Sequence, residues 1–250
     1  MRAIKSAPDD SSTFLIPFPI FQGVPSTLSI SPCPATAPRD SLRARYGDVL
    51  ERIREAESQY GREAGSVSLV AVSKRQPVSA IAAAHALGHL EFGENHLQEG
   101  LTKIATLAEK RLVWHFIGNI QGNKCREIAA NFDWVHSVDR IKTAQRLAKL
   151  RPDTMAAIKV LIQVNLEAEI SKSGVSPEEV EPLAMAIAHE PRLQLCGLMA
   201  IPKPSQDFDQ QRRVFARLRE QSNRLCERGF SAHCLSMGMT VDLEAAIAEG

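Results

Sequence analysis

Lys74 follows the most apolar stretch of this 250-residue chain, Val67-Ser-Leu-Val-Ala-Val-Ser73, and nothing about solvating a helix face explains a lysine there. An ammonium group at the end of a buried strand loses its water, so its pKa falls and a nucleophilic amine becomes available. Schiff-base formation with an aldehyde needs such an amine. The competing reading is a solvated loop lysine. A second feature is Ser236-Met237-Gly238-Met239-Thr240, followed by a stretch whose first turn carries Asp242 and Glu244. A Ser-x-Gly loop that opens a helix offers backbone N–H groups to a phosphate. An ordinary helix N-cap at Ser236 or Thr240 accounts for the same residues.

Other candidate groups are weaker. Ile117-Gly-Asn-Ile-Gln-Gly-Asn-Lys124 lacks the Walker spacing and its following Ser/Thr, so nucleoside triphosphate binding is discounted. His89, Glu91, Glu94 and His96 are metal-ligating types, but they straddle a strand and a helix start, so no metal centre is expected. Glu178, Glu179 and Glu181 read as a solvated first helical turn. No Ser-His-Asp spacing or GxSxG elbow is found.

The elements that must position these residues follow from the apolar pattern. Residues 41–60 carry an amphipathic stripe (Leu42, Val49, Leu50, Ile53, Ala56) and predict an opening helix ended by Gly61 and Gly65. Strands are then expected at 67–73, 89–92, 112–117, 133–137, 158–165, 193–200 and 232–235. Helices are expected at 77–87, 94–109, 122–130, 139–149, 177–188, 207–228 and 241–248. Strict alternation implies a parallel sheet with helices outside. Units of this size predict an α/β TIM-type (β/α)8 barrel, with a doubly wound open sheet as the alternative. A barrel places its site at the carboxyl ends of the strands. Those ends read Ser73-Lys74, Gly93-Glu94-Asn95, His115 to Gly118, His136-Ser137, Asn165, Met199 to Ile201 and Ser236 to Met239.

The first 40 residues differ in kind. They hold seven of the 14 prolines and show no lasting period, so a leader without regular structure is expected over 1–40 and a barrel over 41–250. A signal peptide is a poor fit, because Pro17, Pro19 and Pro25 interrupt the apolar part and Asp9 and Asp10 sit where a basic region belongs. Lys+Arg number 30 against 29 Asp+Glu, which gives no global attraction for nucleic acid or an acidic membrane. Five scattered cysteines without a CxxC pair predict free thiols and a reducing, cytoplasmic setting. No apolar run is long enough to span a membrane.

Six motifs recur in order: Ala71-Val-Ser-Lys74, Phe92-Gly-Glu-Asn95, Trp114-His-Phe-Ile-Gly118 with Gln121 and Asn123-Lys124, Ser171-Lys-Ser-Gly174, Gly197-Leu-Met-Ala-Ile201 and Leu235-Ser-Met-Gly-Met239. In order and spacing, residues 41–250 resemble the pyridoxal phosphate homeostasis protein family. The resemblance implies a single alanine-racemase-type barrel of the fold-type III arrangement, without a second domain. It implies that Lys74 forms the internal aldimine with pyridoxal 5′-phosphate (PLP). It further implies that Ser236, Met237, Gly238 and Met239 line the phosphate end, with Asn95 and His115 near the ring. Lys172 is a second candidate aldehyde acceptor, against a reading as a solvated loop lysine.

The chain departs from the family at both ends. The family pattern begins after the leader, and it continues past the position of Gly250 with a Val-Arg-Ile-Gly strand. The arginine of that strand faces the pyridine nitrogen, and its last residues complete the phosphate cup. The chain is therefore expected to be truncated, to lack its eighth strand, to leave two strand edges unpaired, and to bind cofactor weakly. Function is expected to be buffering or delivery of PLP, with PLP-dependent apoenzymes as recipients, by a cytoplasmic monomer that has no catalytic or metal-binding residues. The alternative is a racemase- or decarboxylase-like enzyme of the same fold type. Turnover needs placed acid–base groups. The racemase tyrosine arrives from a separate domain, whereas this chain has only Tyr46 and Tyr60, both in the opening helix. A cofactor-free interaction protein is the remaining reading.

Overall fold

A computed structural model describes residues 41–169 and 173–250, together with the backbone of residues 12–17. Eight parallel strands close into a barrel in sequence order. They are β1 (Ser12–Pro17), β2 (Val67–Val72), β3 (Glu91–Glu94), β4 (Val113–Phe116), β5 (Trp134–Val138), β6 (Ile158–Gln163), β7 (Leu193–Met199) and β8 (Cys234–Ser236). Helix α1 (Leu42–Gln59) precedes β2. The later strands are each followed by a helix: α2 (Val78–Ala86), α3 (Leu97–Thr106), α4 (Cys125–Asn131), α5 (Ile141–Leu150), α6 (Val180–Ala188), α7 (Phe208–Glu227) and α8 (Leu243–Glu249). The seven strands expected from 67 onward are all present, and the barrel prevails over the open sheet.

The closure corrects two expectations. The eighth position is filled by β1, which comes from within the first 40 residues. β1 pairs with β2 over six residues, Ser12 opposite Val67 to Pro17 opposite Val72, and meets β8 where Thr13 lies opposite Ser236. Proline density averaged over 40 residues conceals a six-residue run, Ser-Thr-Phe-Leu-Ile-Pro, whose Thr, Phe and Ile favour a strand. A terminal proline is compatible with a strand, because it ends the run instead of interrupting its ladder. The open slot between β2 and β8 supplies the missing partners on both sides. A division of the chain at residue 40 therefore cuts through the barrel.

Side chains alternate between two apolar layers. Ala71, Phe92, Trp114, Phe116, Val135, Ile158, Val160 and Leu198 pack outward under the helices, in one cluster with Ile81, Ile128, Leu147, Leu183 and Phe215. Val70, Val72, Leu161, Met199 and Cys234 form a second cluster, joined by Ile117, Trp134 and Cys196, that fills the barrel itself. This period of two is what strands buried on both faces require. Strand β3 runs to Glu94, two residues beyond its expected end. A glycine and a glutamate read as the start of a helix, but Glu94 is fully buried and paired with Lys103 of α3.

Helix ends are set locally. Ser41 caps α1 by accepting from the Ala44 N–H, and Asp207 caps α7 by accepting from the Gln210 N–H. Arg52 of α1 reaches across to Glu244 with two hydrogen bonds, of 2.7 and 3.0 Å, and donates to the Thr240 carbonyl at 3.0 Å. The first helix thus braces the loop between β8 and α8.

Closure by β1 has a direct consequence. Removing residues 1–40 leaves β2 and β8 with unpaired backbone groups, so the shortened protein should melt less cooperatively, at a lower Tm, and bind a hydrophobic dye. Thermal unfolding with dye binding tests this, and an unchanged melt would show that the barrel stands without β1.

Candidate functional site

A cleft of about 100 Å³ opens at the carboxyl ends of the strands, lined by Val72, Lys74, Asn95, Ile117, Ala200, Ile201, Pro202, Met237, Gly238, Met239 and Asp242. Five of the seven residues expected from the sequence thus share one cleft: Lys74, Asn95, Met237, Gly238 and Met239. His115 and Ser236 do not line it. Both are buried within the barrel beneath it. Lys172 lies outside the described residues.

The expected shielding of Lys74 is not found. β2 ends at Val72, Ser73 takes the buried position, and Lys74 is exposed in the turn that follows. Its side chain nevertheless borders the same cleft as Gly238. The turn is held firmly: the Gln76 N–H donates to the Ser73 carbonyl at 3.0 Å, and Arg75 adopts φ 61°, a left-handed conformation that L residues seldom take. On the facing side, Asn95 follows β3 directly. The Gly118 backbone approaches it so closely that a Cβ there would lie 2.2 Å from the Asn95 carbonyl oxygen. The Asn95 side-chain Oδ1 is buried without a partner.

The loop from Ser236 to Asp242 turns on Gly238, whose φ of 84° suits a residue without Cβ. Asp242 closes it by accepting from the Met239 N–H at 2.5 Å, and burial raises the Asp242 pKa from its ordinary value. Among the described residues, the backbone N–H groups of Met237, Gly238 and Thr240 have no protein acceptor. Met237 and Gly238 border the cleft, and Thr240 lies just beyond it in the same loop. The helix after the loop has only seven residues, so these N–H groups, more than a helix dipole, are what the loop offers an anion.

Beneath the cleft runs a polar chain that spacing alone did not reveal. His136 Nδ1 lies 2.8 Å from Ser236 Oγ, and His136 Nε2 lies 2.9 Å from His115 Nδ1. His115 stacks on Trp134 (centroids 5.6 Å apart, planes 12° apart), and Lys159 Nζ sits 4.8 Å from the Trp134 ring centroid. His115 Nε2 is buried without a partner. Burial lowers the His136 pKa from 6.5 to about 3. Burial, followed by the charge of His136, holds His115 well below its ordinary value. Both shifts favour the neutral ring, so at the contact between them one N–H donates to the other ring's unprotonated nitrogen. His136 stood at a strand end in the sequence, but only its proximity to Ser236, 100 residues away, gives it a role.

The metal-ligating types seen in the sequence are engaged separately. His89 Nε2 contacts the Glu91 carbonyl at 2.6 Å and its Nδ1 the Tyr46 hydroxyl at 3.3 Å, whereas Glu94 pairs with Lys103. Among the described residues no group of three or more His, Cys, Asp or Glu could hold a metal ion.

A lysine beside a glycine turn, at the carboxyl ends of a closed parallel barrel, accords with the class that the family match gives: a barrel of the alanine racemase N-terminal type. The family model described as alanine racemase, N-terminal domain, matches residues 49–249. The chain is 52% identical over 210 residues to a pyridoxal phosphate homeostasis protein of Pseudomonas aeruginosa, covering 84% of this chain and 90% of that protein. It is 44% identical over 214 residues to the protein of the same name from Escherichia coli, covering 84% and 92%. Among solved structures, PipY of Synechococcus elongatus, described with PLP bound, aligns with a TM-score of 0.70 at 34% identity, over 79% of this chain and 94% of that one. The chain belongs to the pyridoxal phosphate homeostasis protein family. Strand β1 lies outside the segment that the family model matches.

The neutral histidines make stability dependent on pH. In the unfolded chain each imidazole takes up a proton near 6.5, whereas in the folded state His136 resists protonation down to about 3. The unfolded state thus binds more protons in that interval. Stability is fully present above about 6.5 and falls as pH drops towards 3. Urea unfolding between pH 7.5 and 4.5 should show this loss. His136→Phe, less stable at neutral pH, should show a shallower acid slope. An equal slope in both proteins would assign the acid sensitivity to other groups.

Proposed function

We propose that this protein binds PLP at the cleft and serves to buffer the cofactor or hand it to PLP-dependent apoenzymes. The observation that carries the reading is the placement of Lys74 on one cleft with the Gly238 turn. The residues present fit such a group. The exposed primary amine of Lys74 suits capture of an aldehyde, the free N–H groups of Met237, Gly238 and Thr240 suit a phosphate, and the buried, unpartnered Asn95 Oδ1 suits a polar ring substituent. When bound, PLP supplies an aldehyde carbon, which a primary amine captures by forming a C=N bond as the carbonyl oxygen leaves as water.

The remaining residues orient and hold. Met237 and Gly238 present their amides at the phosphate end, and Asp242 keeps that loop in shape through the Met239 N–H. Ser236, directed at His136, supports the loop from below, and its hydroxyl can donate upward only when His136 Nδ1 carries the proton. His115 shapes the floor from within the barrel.

A carrier that must release its cargo is served by a shallow site. The cleft, about 100 Å³, is well below the roughly 300 Å³ at which enclosing ligand pockets begin. The curated relatives are named for homeostasis and not for a reaction. Both tyrosines lie on or at the end of α1, and the Tyr46 hydroxyl is engaged by His89, so neither supplies the proton-transfer group of a racemase at the cleft. We take the cytoplasm as its setting, in keeping with the free thiols of Cys125 and Cys226. We take the monomer to be the working form.

Purified full-length protein should turn yellow with PLP, and borohydride should fix the cofactor on Lys74. Lys74→Ala should abolish that labelling and weaken binding by about tenfold or more. The loaded protein should restore activity to a PLP-dependent apoenzyme. Absence of any PLP uptake, or labelling that survives Lys74→Ala unchanged, would overturn the assignment. Rapid racemisation or decarboxylation of an amino acid at millimolar concentration would make the protein an enzyme.

A further inference from the structure

We propose that Lys103 is a positioning residue for Lys74, acting through Ser73, Glu94 and Glu99. The inference rests on the function proposed above, in which Lys74 captures the cofactor. Lys103 projects from α3, and its side chain is only 5% exposed. Its Nζ donates three hydrogen bonds of 2.6 Å each: to the Ser73 carbonyl, to Glu94 Oε1 and to Glu99 Oε1. All three ammonium protons are thereby used. Ser73 Oγ donates to the same Glu94 oxygen at 2.7 Å, and the Arg75 N–H donates to Glu99 Oε1 at 2.5 Å.

The arrangement is specific to one point in the chain. The residue before Lys74 and the residue after it are each tied to the buried ammonium, one directly and the other through Glu99. Lys74 itself makes no hydrogen bond or ion pair among the described residues. The left-handed backbone at Arg75 (φ 61°) would relax if it were not held, and the bond from its N–H to Glu99 is what holds it. The same ammonium grips Glu94, the residue before Asn95, so both walls of the cleft are set from one charge. A buried lysine is a poor means of packing a helix. Its desolvation is offset only when every proton and both carboxylates are placed, and an aliphatic side chain would serve the core as well. What an aliphatic residue would not do is fix the backbone on either side of Lys74. Nor is the cluster a cation-binding or anion-binding site of its own, because all three Lys103 protons are used within the chain, although Glu94 Oε2 is left without a partner.

The test compares full-length wild type with Glu99→Gln, Lys103→Met and Lys103→Arg. Arg151→Met serves as a control, because Arg151 is also a buried cation but bonds the Ala129, Phe132 and Ala156 carbonyls at the opposite end of the barrel. Four quantities are read: Tm, PLP affinity, the rate of borohydride-trapped labelling at Lys74, and amide hydrogen exchange over residues 73–76 without cofactor. Glu99→Gln should keep a near wild-type Tm, exchange faster at Arg75, and bind and label about tenfold more weakly and slowly. Lys103→Met should do so more strongly, and Lys103→Arg should recover part of the loss. Arg151→Met should lower Tm while labelling normally. Wild-type exchange at 73–76 in Glu99→Gln and Lys103→Met, or wild-type labelling despite faster exchange, would overturn the role given to Lys103. If Lys103→Met does not fold, Glu99→Gln decides alone. If wild type itself takes up no PLP, the functional reading fails, and exchange at 73–76 still decides whether Lys103 fixes the turn.

Discussion

A parallel strand has two edges of unpaired N–H and C=O groups, and only a closed ring satisfies all of them without help from loops or solvent. Everything at the cleft depends on that closure. The strand ends converge on one mouth because each strand hydrogen-bonds its neighbour on both sides, so Lys74 in the turn after β2 and Gly238 in the loop after β8 are brought to the same opening. Here the link between β8 and β2 is β1, and it is lopsided: six residues pair with β2, and one position is shared with β8. The contact at Thr13 opposite Ser236 places the weaker seam directly beside the loop that carries Gly238.

Within the ring, polar groups are distributed with a clear logic. The lower interior is apolar and is filled by Val70, Leu161 and Cys234 among others. Above it the histidine pair gives Ser236 a buried partner, and both rings can be buried only as neutral species, because an imidazolium there would have no counter-charge. Outside the ring, at the top of β2 and β3, the opposite solution appears: a buried lysine accompanied by two carboxylates. Glu94 is raised by burial and Glu99 is lowered by its bonds to Lys103 and Arg75 despite some desolvation, which matches their different depths. Buried charge is tolerated at this point because every Lys103 proton has an acceptor.

Membership in the homeostasis family and the position of β1 fit together in an instructive way. The family match begins at residue 49, so the barrel that the relatives share is built here with a closing strand from outside the matched segment. Backbone hydrogen bonding is indifferent to where in the chain a strand originates. Any β-competent run of sufficient length that reaches the slot can satisfy the edges, whereas the side chains that do chemistry must come from specific places. Lys74, Asn95 and the Gly238 turn, the residues proposed to hold the cofactor, stand within the matched segment, whereas the closing strand does not.

How much could be read beforehand follows the same division. The alternation from residue 67 onward gave the strands, the helices and the barrel, because burial on both faces forces apolar β-branched runs such as Val67 to Val72 and amphipathic helices between them. Lys74 and the Gly238 loop were legible as strand-end residues of the right chemical types. The role of Glu94 was not, since a charged residue after glycine reads as a helix start until Lys103 is seen to neutralise it. The exposure of Lys74, the burial of Ser236 and the partnership of His115 with His136 were equally hidden, because they depend on which side chains meet across strands far apart in the chain. The β1 strand was obscured by the prolines around it. Local sequence determined what each segment could become, through periodicity and residue type. Which charges pair, which hydroxyl turns inward and which segment closes the ring were decided only by tertiary structure, because those outcomes depend on desolvation and hydrogen-bond partners that exist only once the ring has formed.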